Sequence, residues 1–416
     1  MKICLVSNLF PPLVNGGAEI YVGRLAAALA EEHQVVVITS EPGAHLKPRR
    51  ETGSDGIVTY RLAPVNVGHL TNLPHHLVPQ AAFRAIDFYH PQVAATVREI
   101  IAAERPDIVH IHNWVGLSLA AVLSSVRTGR FDRIPVTMTL HDYGLCCAYA
   151  DLRHPDGKGC PPRLPCAVMS SVNRSLTDSV GLVLSPSKYV LDVHRQRGFF
   201  NRADTQVLPY GLPGATESPA SLPAPRVKQT FDVLFLGRVQ GHKGTDLLVR
   251  AFRALVDPSL RLHVAGLGPM TAECRRLAEG DSRIKFHGFV SGALRQALLE
   301  NSDCLVLPSR WPDNYPLSIQ EAFQAGPVVI ASRIGGIPEM VRDGLNGLLI
   351  DPGDEAAIGL AIERLRQSPE LLLSLRAKAA ETAHIYDMAF HTGQLTQAYR
   401  RLIAANRVRP FFRKAA

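Results

Sequence analysis

Short apolar runs rich in Val and Ile recur along the chain. Between them lie segments whose apolar residues repeat at helical spacing. In the first half the runs are "KICLVSN" (2–8), "QVVVITS" (34–40), "IVTYRLA" (57–63), "DIVHIHN" (107–113), "IPVTMTLHD" (134–142) and "GLVLSPS" (181–187). Amphipathic stretches separate several of them, as at 18–33. In the second half they are 232–239, 260–268, 283–290, 303–309, 326–332 and 346–351. Continuous apolar strands alternating with helices predict parallel sheets covered on both faces. Residues 213–230, "PGATESPASLPAPRVKQT", are rich in Pro, Ala and Ser and lack periodicity, which marks a linker. The expected fold class is α/β: two doubly wound domains, 1–212 and 231–385, facing a cleft. Ligands of such sheets bind at the carboxyl ends of the strands.

The chain has 416 residues, 46% of them apolar, which suits two domains better than one core. The net charge of +8 is modest and scattered until the end of the chain. It suits an anionic small molecule or membrane surface, and no nucleic-acid motif accompanies it. The run 108–126 carries His110, His112 and Asn113, so it reads as strand and helix rather than a membrane span. No secretory signal is evident, and a cytoplasmic protein is expected. Seven cysteines are too few for a disulfide framework. Cys146, Cys147, Cys160 and Cys166 cluster with His154, a set chemically able to hold zinc. They lack a CxxC pair, so reduced thiols in a loop are the preferred reading.

Three stretches carry candidate chemistry. In "WPDNYPLSIQEAFQAG" (311–326), Pro316 is expected at the first position of a helix that Gly326 ends. Asp313 and Asn314 lie in the loop before it and Glu321 in its second turn, all three candidate ligand contacts. Eight residues on a helix span about 12 Å, too far for the two carboxylates to share a proton. They suit two hydroxyl-bearing parts of one long ligand, and the N–H groups of Leu317 and Ser318 suit an anion. In "FLGRVQGHKG", Gly237 and Arg238 end a strand, and Lys243 precedes a helix. The two cations are a candidate diphosphate clamp. In "FPPLVNGGAE", Gly16 and Gly17 let backbone approach a ligand closely. The loop is not GxGxxG, which weakens a nicotinamide reading.

Taken in this order, these stretches resemble glycosyltransferase family 4, the retaining nucleotide-sugar enzymes of the GT-B fold. The resemblance is strongest over 231–351 and looser at "FPPLVNGGAE", "HDY" and "SPSKYV". It implies that Arg238 and Lys243 neutralise the donor diphosphate. Glu321 matches the second Glu of the E-x7-E motif and would hold the ribose, while Asp313 replaces the first Glu near the sugar. Gly16 and Gly17 would close over the phosphates, and His141 would stand near the reacting centre, with Asp142 as a cap. The last helix, from about 386, would cross back onto the first domain. The activity implied is transfer of a sugar from a nucleoside diphosphate sugar to a glycan or lipid-linked hydroxyl, with no cofactor or metal. The sequence reading leaves two alternatives, a nucleotide-sugar epimerase and an inactive nucleotide-sugar-binding module. The tip "RPFFRK" pairs aromatics with cations and suits an anionic membrane surface.

Overall fold

The computed structural model describes residues 1–43, 45–71, 77–127, 134–147, 150, 152, 164–214 and 228–408. The linker between 215 and 227, Cys160, His154 and the tip "RPFFRK" lie outside the described residues. The first sheet holds β1 (Lys2–Val6), β2 (Gln34–Ser40), β3 (His45–Thr52), β4 (Val58–Ala63), β5 (Ile108–Ile111), β6 (Val136–Thr139), β7 (Leu182–Ser185) and β8 (Asp204–Val207). Its order is β3-β4-β2-β1-β5-β6-β7-β8, parallel except for β3 against β4. The second sheet holds β9 (Phe231–Leu236), β10 (Leu260–Ala265), β11 (Ile284–Gly288), β12 (Cys304–Leu307), β13 (Val328–Ser332) and β14 (Gly347–Ile350). It is parallel throughout, in the order β11-β10-β9-β12-β13-β14.

Most residues of the central strands are buried because helices cover both faces. "LVL" in β12 and "VVIAS" in β13 are wholly inside. One continuous apolar cluster runs from Ile3 and Tyr21 through Tyr210 and Leu317 to Tyr399, so the core does not stop at the domain junction.

Helix Met388–Val408 lies against the first domain. His391 shares hydrogen bonds with the Tyr21 hydroxyl at 2.8 Å and the Pro209 carbonyl at 2.7 Å. Tyr399 shares one with His110 at 2.5 Å.

In the second sheet the chain leaves β9 toward β10 on one side and returns as β12 on the other. The strand order therefore reverses between β9 and β12, which opens a crevice at their carboxyl ends. Gly237, Arg238 and the loop from Pro308 to Pro316 follow those two ends. His112 and His141 follow β5 and β6 on the facing domain. No helix among the described residues is long and apolar enough to cross a membrane.

Candidate active site

The crevice is built from tight turns. Gly244 lies in the left-handed region at φ +70°, and a Cβ there would come 2.0 Å from the Pro308 carbonyl oxygen. Only glycine lets the turn carrying Lys243 sit directly on the exit of β12. Gly244→Ala is expected to cost about 3 kcal/mol or more, from left-handed strain plus the clash. It should also weaken ligand binding in the crevice. Urea unfolding and isothermal titration check both; an unchanged midpoint would contradict this packing.

Lys243 forms an ion pair with Asp313, which also accepts from Ser309 Oγ at 2.5 Å. The Lys243 ammonium lies 5.3 Å from the Trp311 ring centre, a cation–π contact. Arg310 forks onto both oxygens of Asp246 at 2.8 Å and donates to the Gly241 carbonyl at 2.9 Å. This fork ties the 308–316 loop to the turn bearing Lys243.

Helix Leu317–Ala325 follows that loop. Pro316 is its cap rather than its first residue: φ is −64° as the ring demands, but ψ is 119°, outside the helical range. Gly326 ends the helix at φ 112°, as its position in the sequence suggests. The first-turn N–H groups, those of Leu317 and Ser318 among them, are ones that no helical carbonyl reaches. Asp313 is 4% exposed and Glu321 7%, so neither is a solvated surface charge.

The first domain closes over this wall. A Cβ on Gly17 would lie 3.3 Å from the Leu317 side chain, so backbone meets helix start there. Arg238 donates to Asn15 Oδ1 at 3.1 Å, immediately before Gly16. The Gly16 N–H is held by Glu19 at 2.8 Å. Tyr143 donates to the Pro312 carbonyl at 2.7 Å, and Gln320 to the Tyr210 carbonyl at 2.9 Å. Glu339 accepts from the N–H groups of Lys188 and Tyr189, both at 2.7 Å. A carboxylate of the second domain thus caps helix Lys188–Gln196 of the first.

His141 is half-buried, and both its ring nitrogens have protein partners. One meets the Tyr210 hydroxyl at 2.7 Å and the other His112 at 3.0 Å. Burial lowers its pKa to about 3, so the ring is neutral at physiological pH. Burial also pushes the adjacent Asp142 carboxyl up to about 6, although the Gly144 N–H donates to it at 2.7 Å.

Two descriptions of known families match the chain. "Glycosyl transferase 4-like domain" covers residues 16–211, and "Glycosyl transferases group 1" covers residues 230–368. The chain belongs to the GT4-type glycosyltransferases. It is similar to the D-inositol 3-phosphate glycosyltransferase 1 of Catenulispora acidiphila, 27% identical over 98% of both chains. It is also similar to the glycogen synthase of Mycobacterium tuberculosis, 26% identical over 94% of this chain and 92% of that one. In fold it is similar to the sucrose-phosphate synthase of Thermosynechococcus elongatus, with a TM-score of 0.74 and 24% identity. That match covers 97% of this chain and 99% of that one. HepE of Anabaena, solved in complex with UDP-glucose, matches with a TM-score of 0.68 and 19% identity over 96% of this chain and all of that one. The chain has the GT-B architecture of these neighbours.

Against this glycosyltransferase frame, three expectations change. Asn314 was expected among the donor contacts, but its amide serves the domain junction. Its Nδ2 donates to the carbonyls of Leu140 and His141 at 3.0 and 3.1 Å, and its Oδ1 accepts from Ser187 at 2.7 Å. A buried amide takes the partners nearest to it, and the end of β6 supplies them. Lys243 and Asp313, read as gripping separate ligand groups, are joined in one pair. The ring of His141 is turned into the first domain.

Arg24 and Arg295, which both donate to Glu321, and Arg310, Tyr143 and Glu339 escape sequence reading because each acts through a partner on another element. Only Arg24 leaves a trace, seven residues after Gly17 on the same helical face. Among the described residues no three His, Cys, Asp or Glu side chains form a metal-binding group. Burial pushes the Cys146 thiol up to about 12, far from the thiolate a metal needs.

Proposed function

We propose that this glycosyltransferase moves a sugar from a nucleoside diphosphate sugar to a hydroxyl of a glycan or lipid-linked acceptor, as in cell-surface polysaccharide synthesis. It would do so with retention of the anomeric configuration and without a metal or other cofactor. One observation carries the reading. Arg238, Lys243, the start of the 317–325 helix and Glu321 line one wall of the crevice, and the Gly16–Gly17 loop meets that wall at Leu317 and, through Asn15, at Arg238.

Two cations and unfilled helical N–H groups suit a diphosphate. They would stabilise the charge that gathers on the diphosphate as the anomeric C–O bond breaks. The acceptor oxygen would bond to the anomeric carbon on the face the diphosphate leaves, and its proton would pass to a departing phosphate oxygen. Gly237 follows β9 and immediately precedes Arg238. Glu321 would hold the ribose. Asp313 would act by fixing Lys243 and the 308–316 loop toward the phosphates. His141, neutral, would shape the sugar end of the crevice rather than titrate. The protein would work in the cytoplasm, free or peripheral on the inner face of a membrane.

The test is incubation with nucleotide sugars and glycan or lipid-linked acceptors in EDTA, with NMR of the product. Release of nucleoside diphosphate and a retained anomeric signal are expected, with at least a 100-fold loss in Arg238→Ala. An isomerised donor with no acceptor consumed would show an epimerase instead. Binding without turnover over a broad acceptor panel would show a sensor.

A further inference from the structure

Glu321 does not stand alone in the crevice. Its Oε1 accepts from Arg24 Nη2 at 3.1 Å, and its Oε2 accepts from Arg295 Nη2. Arg24 belongs to helix Gly17–Ala30 of the first domain, and Arg295 to helix Gly292–Asn301 of the second. The carboxylate is thus gripped from both sides of the domain junction. Gly17 meets Leu317, and Arg24, two turns on, meets Glu321, one turn on.

The grip is incomplete. Nη1 of Arg24 and Nε of Arg295 are buried and have no hydrogen-bond partner. A buried N–H left unpaired carries a desolvation penalty of about 1–3 kcal/mol, more on a charged group. Two such donors beside one carboxylate call for a ligand that both donates and accepts. A vicinal diol does so, because each hydroxyl has one O–H and two lone pairs. A carboxylate alone would take only its protons.

We propose that Arg24 and Arg295 form, with Glu321, a ribose-reading site that spans the two domains. It rests on the reading of the crevice as a nucleotide-sugar site. The ribose hydroxyls donate to Glu321 and accept from the free guanidinium N–H groups. Arg24 is then a specificity-determining residue for ribonucleotides contributed by the first domain. The nucleoside half of the donor, and not only its phosphates, links the two halves of the protein. A deoxyribose leaves both a carboxylate lone pair and a guanidinium N–H unpaired, so it is rejected twice over.

The test is isothermal titration of UDP, GDP and ADP, each beside its 2′-deoxy and 3′-deoxy counterparts, on the wild type, Arg24→Leu and Arg295→Leu. The wild type is expected to prefer the ribonucleotide of one base by roughly 10- to 100-fold over a deoxy counterpart. In either variant that ratio should fall about tenfold, because the free N–H that reads the hydroxyl is gone. A merely structural arginine would shift both affinities together and leave the ratio alone. Arg295→Leu and the milder Arg24→Gln keep the test available if Arg24→Leu does not fold. Wild-type binding with an unchanged ratio in the variants overturns the inference and leaves the donor site standing. Failure of the wild type to bind any of the nucleotides overturns the donor site and the inference with it.

Discussion

Replacing Lys243 by methionine is expected to destabilise the fold by about 2–4 kcal/mol and to lower transfer at least 100-fold. The two losses have different causes. Asp313 is 4% exposed, and without Lys243 its charge keeps only the Ser309 hydroxyl among its described side-chain partners. Breaking a buried ion pair on one side typically costs about 3–5 kcal/mol. Lys243 keeps 19% of its side-chain surface in solvent, which favours the lower end of that range. The loss of transfer comes from removing a cation beside the diphosphate. Asp313→Asn added to Lys243→Met should therefore restore most of the stability and little of the activity. Urea unfolding and kcat/KM on the three variants separate the effects. Activity returning together with stability in the double variant would reduce Lys243 to a structural role.

Acid is expected to unfold the protein well before its carboxylate pairs are lost. His194 and His391 are buried and neutral, and burial lowers each pKa to about 4. Burial and neighbouring imidazoles also hold His110 and His112 well below the usual imidazole range. In the unfolded chain these groups bind protons near pH 6.5. Between pH 6.5 and 4 the unfolded state therefore holds more protons, and stability falls as pH falls. By pH 4.5, His194 and His391 each cost about 2–3 kcal/mol.

Asp87 and Asp142 act in the opposite sense. Burial raises both to about 6, so the folded state gains protons first as pH falls below that value. Each returns about 2 kcal/mol by pH 4.5. Burial raises Asp303 in the same sense, and the four histidines, with His141 on their side, outweigh these three carboxylates. Urea midpoints at pH 7, 5.5 and 4.5 should fall steadily, with a shallower fall in His194→Phe. A midpoint that holds or rises toward pH 4.5 would contradict the neutral histidine cluster.

The strands legible in the sequence are those buried on both faces. "VVVITS" in β2 and "VVIAS" in β13 show their role because every residue of both runs is buried. The two missed strands lie at the edges of the first sheet. β3 reads "HLKPRRET", with charges and Pro48 that only an edge tolerates. β8 has four residues, and none of them is buried. The predicted strand 134–142 ends as strand at Thr139, and His141 belongs to the turn beyond it, where a site residue is useful.

Glu321 and Lys243 were visible as types at a spacing. Arg24, Asn314 and Glu339 were not legible in their observed roles, because their partners lie 297, 174 and 151 positions away. Periodicity reports which face of an element is buried, but not which element lies opposite.

A thermal-shift titration with UDP-, GDP-, ADP- and dTDP-sugars, in EDTA and in Mg²⁺, reaches the central claim most directly. At about 100 times its dissociation constant a ligand stabilises by about 2.7 kcal/mol. The account predicts that one nucleotide class gives this shift without metal, and that Glu321→Ala and Arg238→Ala both abolish it. A shift that survives in both variants, or no shift with any nucleotide sugar, would contradict a donor site in the crevice between β9 and β12.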